Sequence, residues 1–260
     1  MKDSTKNEMK AKLRSGEKVL GTFFELGGGT AVECLGLAGL DFFIIDTEHG
    51  PFDVESSMEF VRAAGLYDIS PLVRVKDATR SSILKMLDIG AQGLIIPGVR
   101  TADEVKQIVE HGKYYPLGRR GVAPTRIAGF GFNPLMRDLE TWFARNNGET
   151  MIIPQCETSE CLDGIEEIAA IEGVDGIFVG PYDLSVALGK PGRFDDPAYN
   201  AAVDRVLKAC RAAGKFSFIY TGDANATKKY FADGFDGVAC GMDTMFYVSA
   251  FKNLIAAAKP

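Results

Sequence analysis

The sequence predicts an α/β protein folded as one (β/α)8 TIM barrel spanning residues 1–260. Eight short apolar runs recur along the chain, and segments with helical periodicity lie between them. The runs lack strict alternation, as expected of strands covered on both faces. A doubly wound open sheet is the structural rival, but it carries a G-x-G-x-x-G turn after its first strand. Here that place holds "ELGGGTA" (25–31), glycines without the spacing.

The elements read in order as follows. Strand "KVLGTFFE" (18–25) leads to helix "TAVECLGLAGL" (30–40), and strand "FFIIDTE" (42–48) to helix "VESSMEFVRAAGL" (54–66). "PLVRV" (71–75) precedes "TRSSILKMLDIG" (79–90), where Ile83, Leu84, Leu87 and Ile89 share roughly one face. "GLIIPGV" (93–99) precedes "TADEVKQIVEHG" (101–112), whose Thr101 and Glu104 have capping-box spacing. The long stretch 113–148 carries a helix near Leu135–Arg145; insertions of this length are usually lids or subunit contacts. Then come "MIIPQCE" (151–157), "SECLDGIEEIAAI" (159–171), "GIFVGP" (176–181) and "PAYNAAVDRVLKACRAAG" (197–214). "FSFIYTG" (216–222), "NATKKYFADG" (225–234), "GVACGMD" (237–243) and "FYVSAFKNLIAAAK" (246–259) complete the set. Gly90, Gly112, Gly214 and Gly234 fit positions just past helix ends.

A net charge of −6 without a long Lys/Arg run argues against nucleic acid and acidic membranes as partners. Five cysteines, with no C-x-x-C, indicate reduced thiols rather than a disulfide framework or zinc ribbon, so a cytoplasmic location is expected. The charged N-terminus has no apolar core of a signal peptide, and no apolar run approaches about 20 residues.

In a barrel of this kind the active site forms at the C-terminal ends of the strands. Strand 2 ends in Asp46, Glu48 and His49, strand 3 in Arg74, strand 5 in Gln155, Cys156 and Glu157; strand 6 runs into "GPYDLS" with Asp183. Alternation puts Gln155 and Glu157 on one face and Cys156 on the other. Carboxylates from neighbouring strands about 4.8 Å apart repel unless a proton or cation sits between them. A hard divalent ion (magnesium, manganese or cobalt) at Glu157 and Asp183 resolves that repulsion; helix capping by Asp183 is the alternative. Arg74 either pairs with a neighbouring acid or stabilises a developing oxyanion. His49 is either a strand-end histidine or a base titrating near neutral pH. His111 lies near a helix end with no catalytic part, and Lys76 is a candidate for Schiff-base chemistry.

"DFFIIDTEHGPFD", "PLVRV", "LDIGAQGLIIPGVRTADEV", "GRRGV", "PQCET", "EGVDGIFVGPYDLSVALG" and "GFDGVACGMD" follow one another in that order. Together they resemble the HpcH/HpaI family of metal-dependent pyruvate aldolases, from about Gly21 to the C-terminus. The resemblance implies a barrel of the phosphoenolpyruvate/pyruvate type with an N-terminal helix. It also implies a homo-oligomer, trimer or hexamer, that exchanges its last helix. Glu157 and Asp183 would bind the divalent ion, and Gln155 with Pro181, Tyr182 and Asp183 would contact the substrate. Arg74 would stabilise the transition state and His49 would act as base. Asp88 matches an acid that raises the basicity of that histidine, acting from a neighbouring subunit, with Asp46 as the nearer alternative. The implied reaction is reversible retro-aldol cleavage of a 4-hydroxy-2-oxo acid to pyruvate and an aldehyde. The rivals are an oxaloacetate decarboxylase, an acyl-CoA lyase and a non-catalytic keto-acid-binding barrel.

Overall fold

A computed structural model describes residues 5–259. Eight parallel strands pair in chain order and the last pairs with the first, closing a barrel. They are β1 Val19–Phe24, β2 Phe42–Asp46, β3 Ser70–Arg74, β4 Gly93–Ile96, β5 Met151–Cys156, β6 Gly176–Val179, β7 Phe216–Thr221 and β8 Gly237–Met242. Each overlaps one of the eight apolar runs. The helices are α1 Glu8–Arg14, α2 Gly29–Leu37, α3 Val54–Ala64, α4 Arg80–Asp88, α5 Ala102–Gly112 and α6 Leu139–Glu149. They continue with α7 Ser159–Asp163, α8 Ile165–Ala170, α9 Pro181–Ala187, α10 Pro197–Ala213, α11 Ala224–Asp233 and α12 Asp243–Ala258. No helix among the described residues is long and apolar enough to cross a membrane.

Alternation along each strand divides the core into two layers. Phe42, Ile44, Leu72, Met151, Ile153 and Phe178 point into the barrel and pack together. Their sequence neighbours Phe43, Ile45, Val73, Ile152 and Val179 point outward against the helices, as does Cys156. Continuing the inward series upward gives Asp46 on β2, Arg74 on β3 and Gln155 on β5, so the pleat that fills the barrel also delivers polar groups to its mouth. Met9 and Leu13 of α1 belong to the inner cluster, so α1 closes the opposite end.

That closed end is held by charge as well. Lys113 Nζ, buried, donates to Asp175 at 2.8 Å and to the carbonyl of Thr150 at 2.5 Å. Lys10 Nζ meets the other Asp175 oxygen at 2.5 Å. Burial opposes the charge of Asp175, but Lys113 and Lys10 outweigh it and hold its pKa below the usual carboxylate value.

The Thr101–Glu104 capping box is present. Gly90, Gly214 and Gly234 take left-handed backbone just past α4, α10 and α11. Gly112 does not: it is the last helical residue, and a Cβ there would meet Ile152 at 2.6 Å, so close packing selects it. The segment 159–171 is two helices broken at Gly164. The 113–148 stretch is not a lid. Its Arg120 reaches Asp88 and its Arg126 the carbonyl of Ile89, both at the base of the barrel, while Tyr114, Ile127, Ala128 and Trp142 form a small core of their own. Its helix, α6, begins and ends four residues later than expected.

Candidate active site

The C-terminal ends of the strands surround a cavity of about 240 Å³. Asp46, His49, Arg74, Gln155, Tyr182 and Asp183 line it. Asp46 and Arg74 are direct register partners on β2 and β3, on one face of the sheet. Arg74 Nε donates to Asp46 Oδ1 at 2.9 Å and Nη2 to Oδ2 at 2.6 Å, a two-pronged pair. Its Nη1 lies 3.3 Å from Glu48, and the guanidinium covers the Phe23 ring at 4.8 Å. Burial disfavours its charge, but Asp46, Glu48 and Glu157 prevail and raise the pKa above the ordinary arginine value. Arg74 is thus paired with a neighbouring acid, and it also lines the cavity.

Asp46 does not meet the His49 imidazole. Its Oδ1 accepts the backbone N–H groups of Glu48 and His49, shaping the turn that presents the exposed His49 side chain. Asp88 ends α4 at the base of the barrel, bonded to Arg120 at 2.9 Å, and does not line the cavity. Neither acid therefore orients His49 within one chain.

Glu157 follows β5 directly and is buried behind Gln155. Its Oε1 accepts the Gly98 N–H at 2.6 Å, and its Oε2 accepts Gln155 Nε2. Gln155 Oε1 is left buried without a partner. A Cβ at Gly180 would stand 2.8 Å from both Gln155 Nε2 and Glu157 Oε2, so a larger residue there would have to displace these two side-chain ends. Asp183 is not on a strand and does not cap a helix; it lies in the first turn of α9, whose N-cap is Gly180. Pro181 starts that helix, and Tyr182 rests edge-on against Phe194. The Asp183 carboxylate forms no hydrogen bond or ion pair with the described residues. Burial raises the Glu157 pKa, and the charge of Asp183 adds to the rise despite opposing hydrogen bonds from Gly98 and Gln155.

These groups fit a hard divalent ion. Glu157 does not line the cavity but feels the charge of Asp183, which does line it and is unpaired among the described residues; Gln155, also lining it, has a buried oxygen without a partner. Among the described residues no group of three or more His, Cys, Asp or Glu could hold a metal; an ion held by these two acids alone would leave positions for water and substrate. Lys76 lines neighbouring clefts, one with Asp77 and Glu48, rather than this cavity. His111 sits in the last turn of α5, remote from it.

Glu25, Phe23, Tyr220 and Met242 also line the cavity, and strand-end reasoning had passed over them. Glu25 directly follows β1, so the rule that found Asp46 and Arg74 would have found it as well.

The HpcH/HpaI aldolase/citrate lyase family model matches residues 20–250. The 2-keto-3-deoxy-L-rhamnonate aldolase of Escherichia coli O17:K52:H18 is 33% identical over 252 residues, covering 96% of this chain and 92% of that protein. The crystal structure of an HpcH/HpaI aldolase/citrate lyase family protein from Burkholderia cenocepacia J2315 superposes with a TM-score of 0.89 at 32% identity, covering 98% of this chain and 100% of that one. That of an HpcH/HpaI aldolase from Desulfitobacterium hafniense DCB-2 gives 0.89 at 30% identity, with 96% of each chain covered. The chain thus belongs to the HpcH/HpaI aldolase/citrate lyase family and is a carbon–carbon lyase of the aldolase type.

Proposed function

We propose that this chain catalyses divalent-metal-dependent, reversible cleavage of a 4-hydroxy-2-oxo acid into pyruvate, or a close 2-oxo acid, and an aldehyde. The observation that carries the reading is the convergence on one cavity of a clamped arginine, a free carboxylate and an exposed imidazole, with a second carboxylate bonded to Gln155 of the same wall. Glu157 and Asp183 would hold the ion, which would supply Lewis-acid polarisation of the 2-keto oxygen. Arg74, fixed by Asp46, faces the charge that develops on that oxygen; one preorganised donor of this kind contributes about 3–4 kcal/mol. Gln155 and the Pro181–Asp183 segment border the space for the 2-oxo acid. In cleavage His49 takes the proton of the 4-hydroxyl, the C3–C4 bond breaks, and the enolate is reprotonated to pyruvate. In synthesis the steps run backwards. Asp88 acts on His49 only across a subunit boundary, which agrees with its distance from the cavity of its own chain.

A homo-oligomer belongs to the same reading. Phe246, Tyr247, Phe251, Leu254 and Ile255 of α12 are each about half exposed. An apolar cleft of about 520 Å³, between α2 and the start of α12, lies beside them. A second copy of this chain, contributing its own α12, is the occupant we infer.

The test is exchange of pyruvate methyl protons in deuterated water. Exchange that EDTA abolishes and manganese restores is the expected result, whatever the aldehyde partner. Metal-independent exchange with borohydride trapping would favour Schiff-base chemistry, and binding of pyruvate without exchange a non-catalytic barrel. The acyl-CoA alternative lacks support: among the described residues Arg74 is the only Arg or Lys lining the cavity, and it is already paired.

A further inference from the structure

Glu25 is a carboxyl group at the cavity wall with no assigned task. Its side chain lines the cavity, is half-buried, and forms no hydrogen bond or ion pair among the described residues. Its position is nonetheless built. Asp243, buried at the start of α12, accepts the N–H groups of Glu25 and Leu26 at 2.8 and 3.0 Å, which pins the turn that carries it. Phe23 and Tyr220 meet edge-on beside it, 5.7 Å apart, and form an aromatic part of the same wall. Burial raises the pKa of Glu25, and the charges of Asp46 and Asp243 raise it further.

The charges around the cavity then constrain the substrate. Asp46, Glu25 and Asp183 line it against one Arg, which is engaged by Asp46 and Glu48. Among the described residues no Arg or Lys other than Arg74 lines the cavity, so a second carboxylate on the substrate would have no free cationic Arg or Lys to pair with and would meet Glu25 as a like charge. A hydroxyl would find an acceptor or a donor in the Glu25 carboxyl.

We propose that Glu25 selects the aldehyde, favouring a neutral hydroxyaldehyde over an aldehyde ending in a carboxylate. This rests on the aldolase reading above and adds the class of its second substrate.

The experiment compares kcat/KM for addition of pyruvate to glyceraldehyde and to succinic semialdehyde, in the wild type, Glu25→Gln and Glu25→Lys. The wild type is expected to prefer glyceraldehyde by at least about tenfold, since a placed hydrogen-bonding group and a like charge both discriminate. Glu25→Gln narrows that ratio, and Glu25→Lys inverts it toward the semialdehyde. A ratio that stays within about twofold in both variants overturns the proposal, as does a wild type that prefers the semialdehyde. Loss of pyruvate methyl-proton exchange in Glu25→Gln would also overturn it, by placing Glu25 in the enolate chemistry. Wild-type exchange, which needs no aldehyde, separates the failures: its absence sinks the aldolase reading, whereas its presence with an unmoved ratio sinks only the assignment of Glu25.

Discussion

Asp46 and Arg74 stand opposite each other on neighbouring strands and are joined by two parallel hydrogen bonds of 2.9 and 2.6 Å. A planar guanidinium held by both prongs is fixed in direction as well as place, which a lysine cannot reproduce. Arg74→Ala is expected to lower pyruvate methyl-proton exchange about 10²–10³-fold, the usual cost of one oxyanion donor. Arg74→Lys should recover little of it. Asp46→Asn should lower exchange by a smaller factor, because one prong becomes a donor facing a donor. Circular dichroism and deuterium exchange by NMR check all three; Arg74→Lys at wild-type rate would show that direction is immaterial.

Glu157 and Asp183, the two ligands proposed for the ion, sit in different surroundings. Glu157 is buried and already accepts two hydrogen bonds, whereas Asp183 is exposed and unpaired. Glu157→Gln and Asp183→Asn should each weaken manganese binding by at least about tenfold, since each removes a charged oxygen ligand. Titration calorimetry without substrate reads this directly. Glu157→Gln should also leave the metal-free protein no less stable, because it removes a buried charge beside Asp183.

The eight strands were legible because a strand covered on both faces must be apolar along its length, and the capping box because its partners are three residues apart. The placing of Gln155 and Glu157 on one face, with Cys156 on the other, followed from the pleat alone. What stayed hidden depends on contacts distant in sequence. Asp46 sits three residues before His49, but its register partner on β3 claims its carboxylate. The 113–148 stretch has the length of a lid, yet its arginines find acceptors at the other end of the barrel. Asp183 carries no local mark showing whether it caps α9 or lies one turn inside it.

Asp175 ties two buried lysines, 2.8 and 2.5 Å away, at the closed end. Asp175→Asn leaves both ammonium groups uncompensated and should cost about 3–5 kcal/mol. The folded-state pKa of Asp175 is lowered, so its contribution is present above the unfolded aspartate value and is lost as pH falls through the folded value. Thermal melts of the wild type should therefore decline below the ordinary aspartate range, with a shallower decline for Asp175→Asn. Equal slopes would remove Asp175 from the acid response.

The apolar face of α12 should bury against a second copy. Phe251→Asp with Leu254→Asp is expected to shift the protein to monomers by analytical ultracentrifugation and to lower exchange, if Asp88 works across the boundary. A wild type that sediments as a monomer would rule out that route for Asp88.

The central claim is that one divalent ion sits between Glu157 and Asp183 with a 2-oxo acid docked against it and Arg74. A crystal soaked in manganese and pyruvate measures this directly through the manganese anomalous signal. The expected peak touches carboxylate oxygens of Glu157 and Asp183, with pyruvate between it and the guanidinium. A peak elsewhere, or an ordered pyruvate with no metal beside those two side chains, would contradict the account.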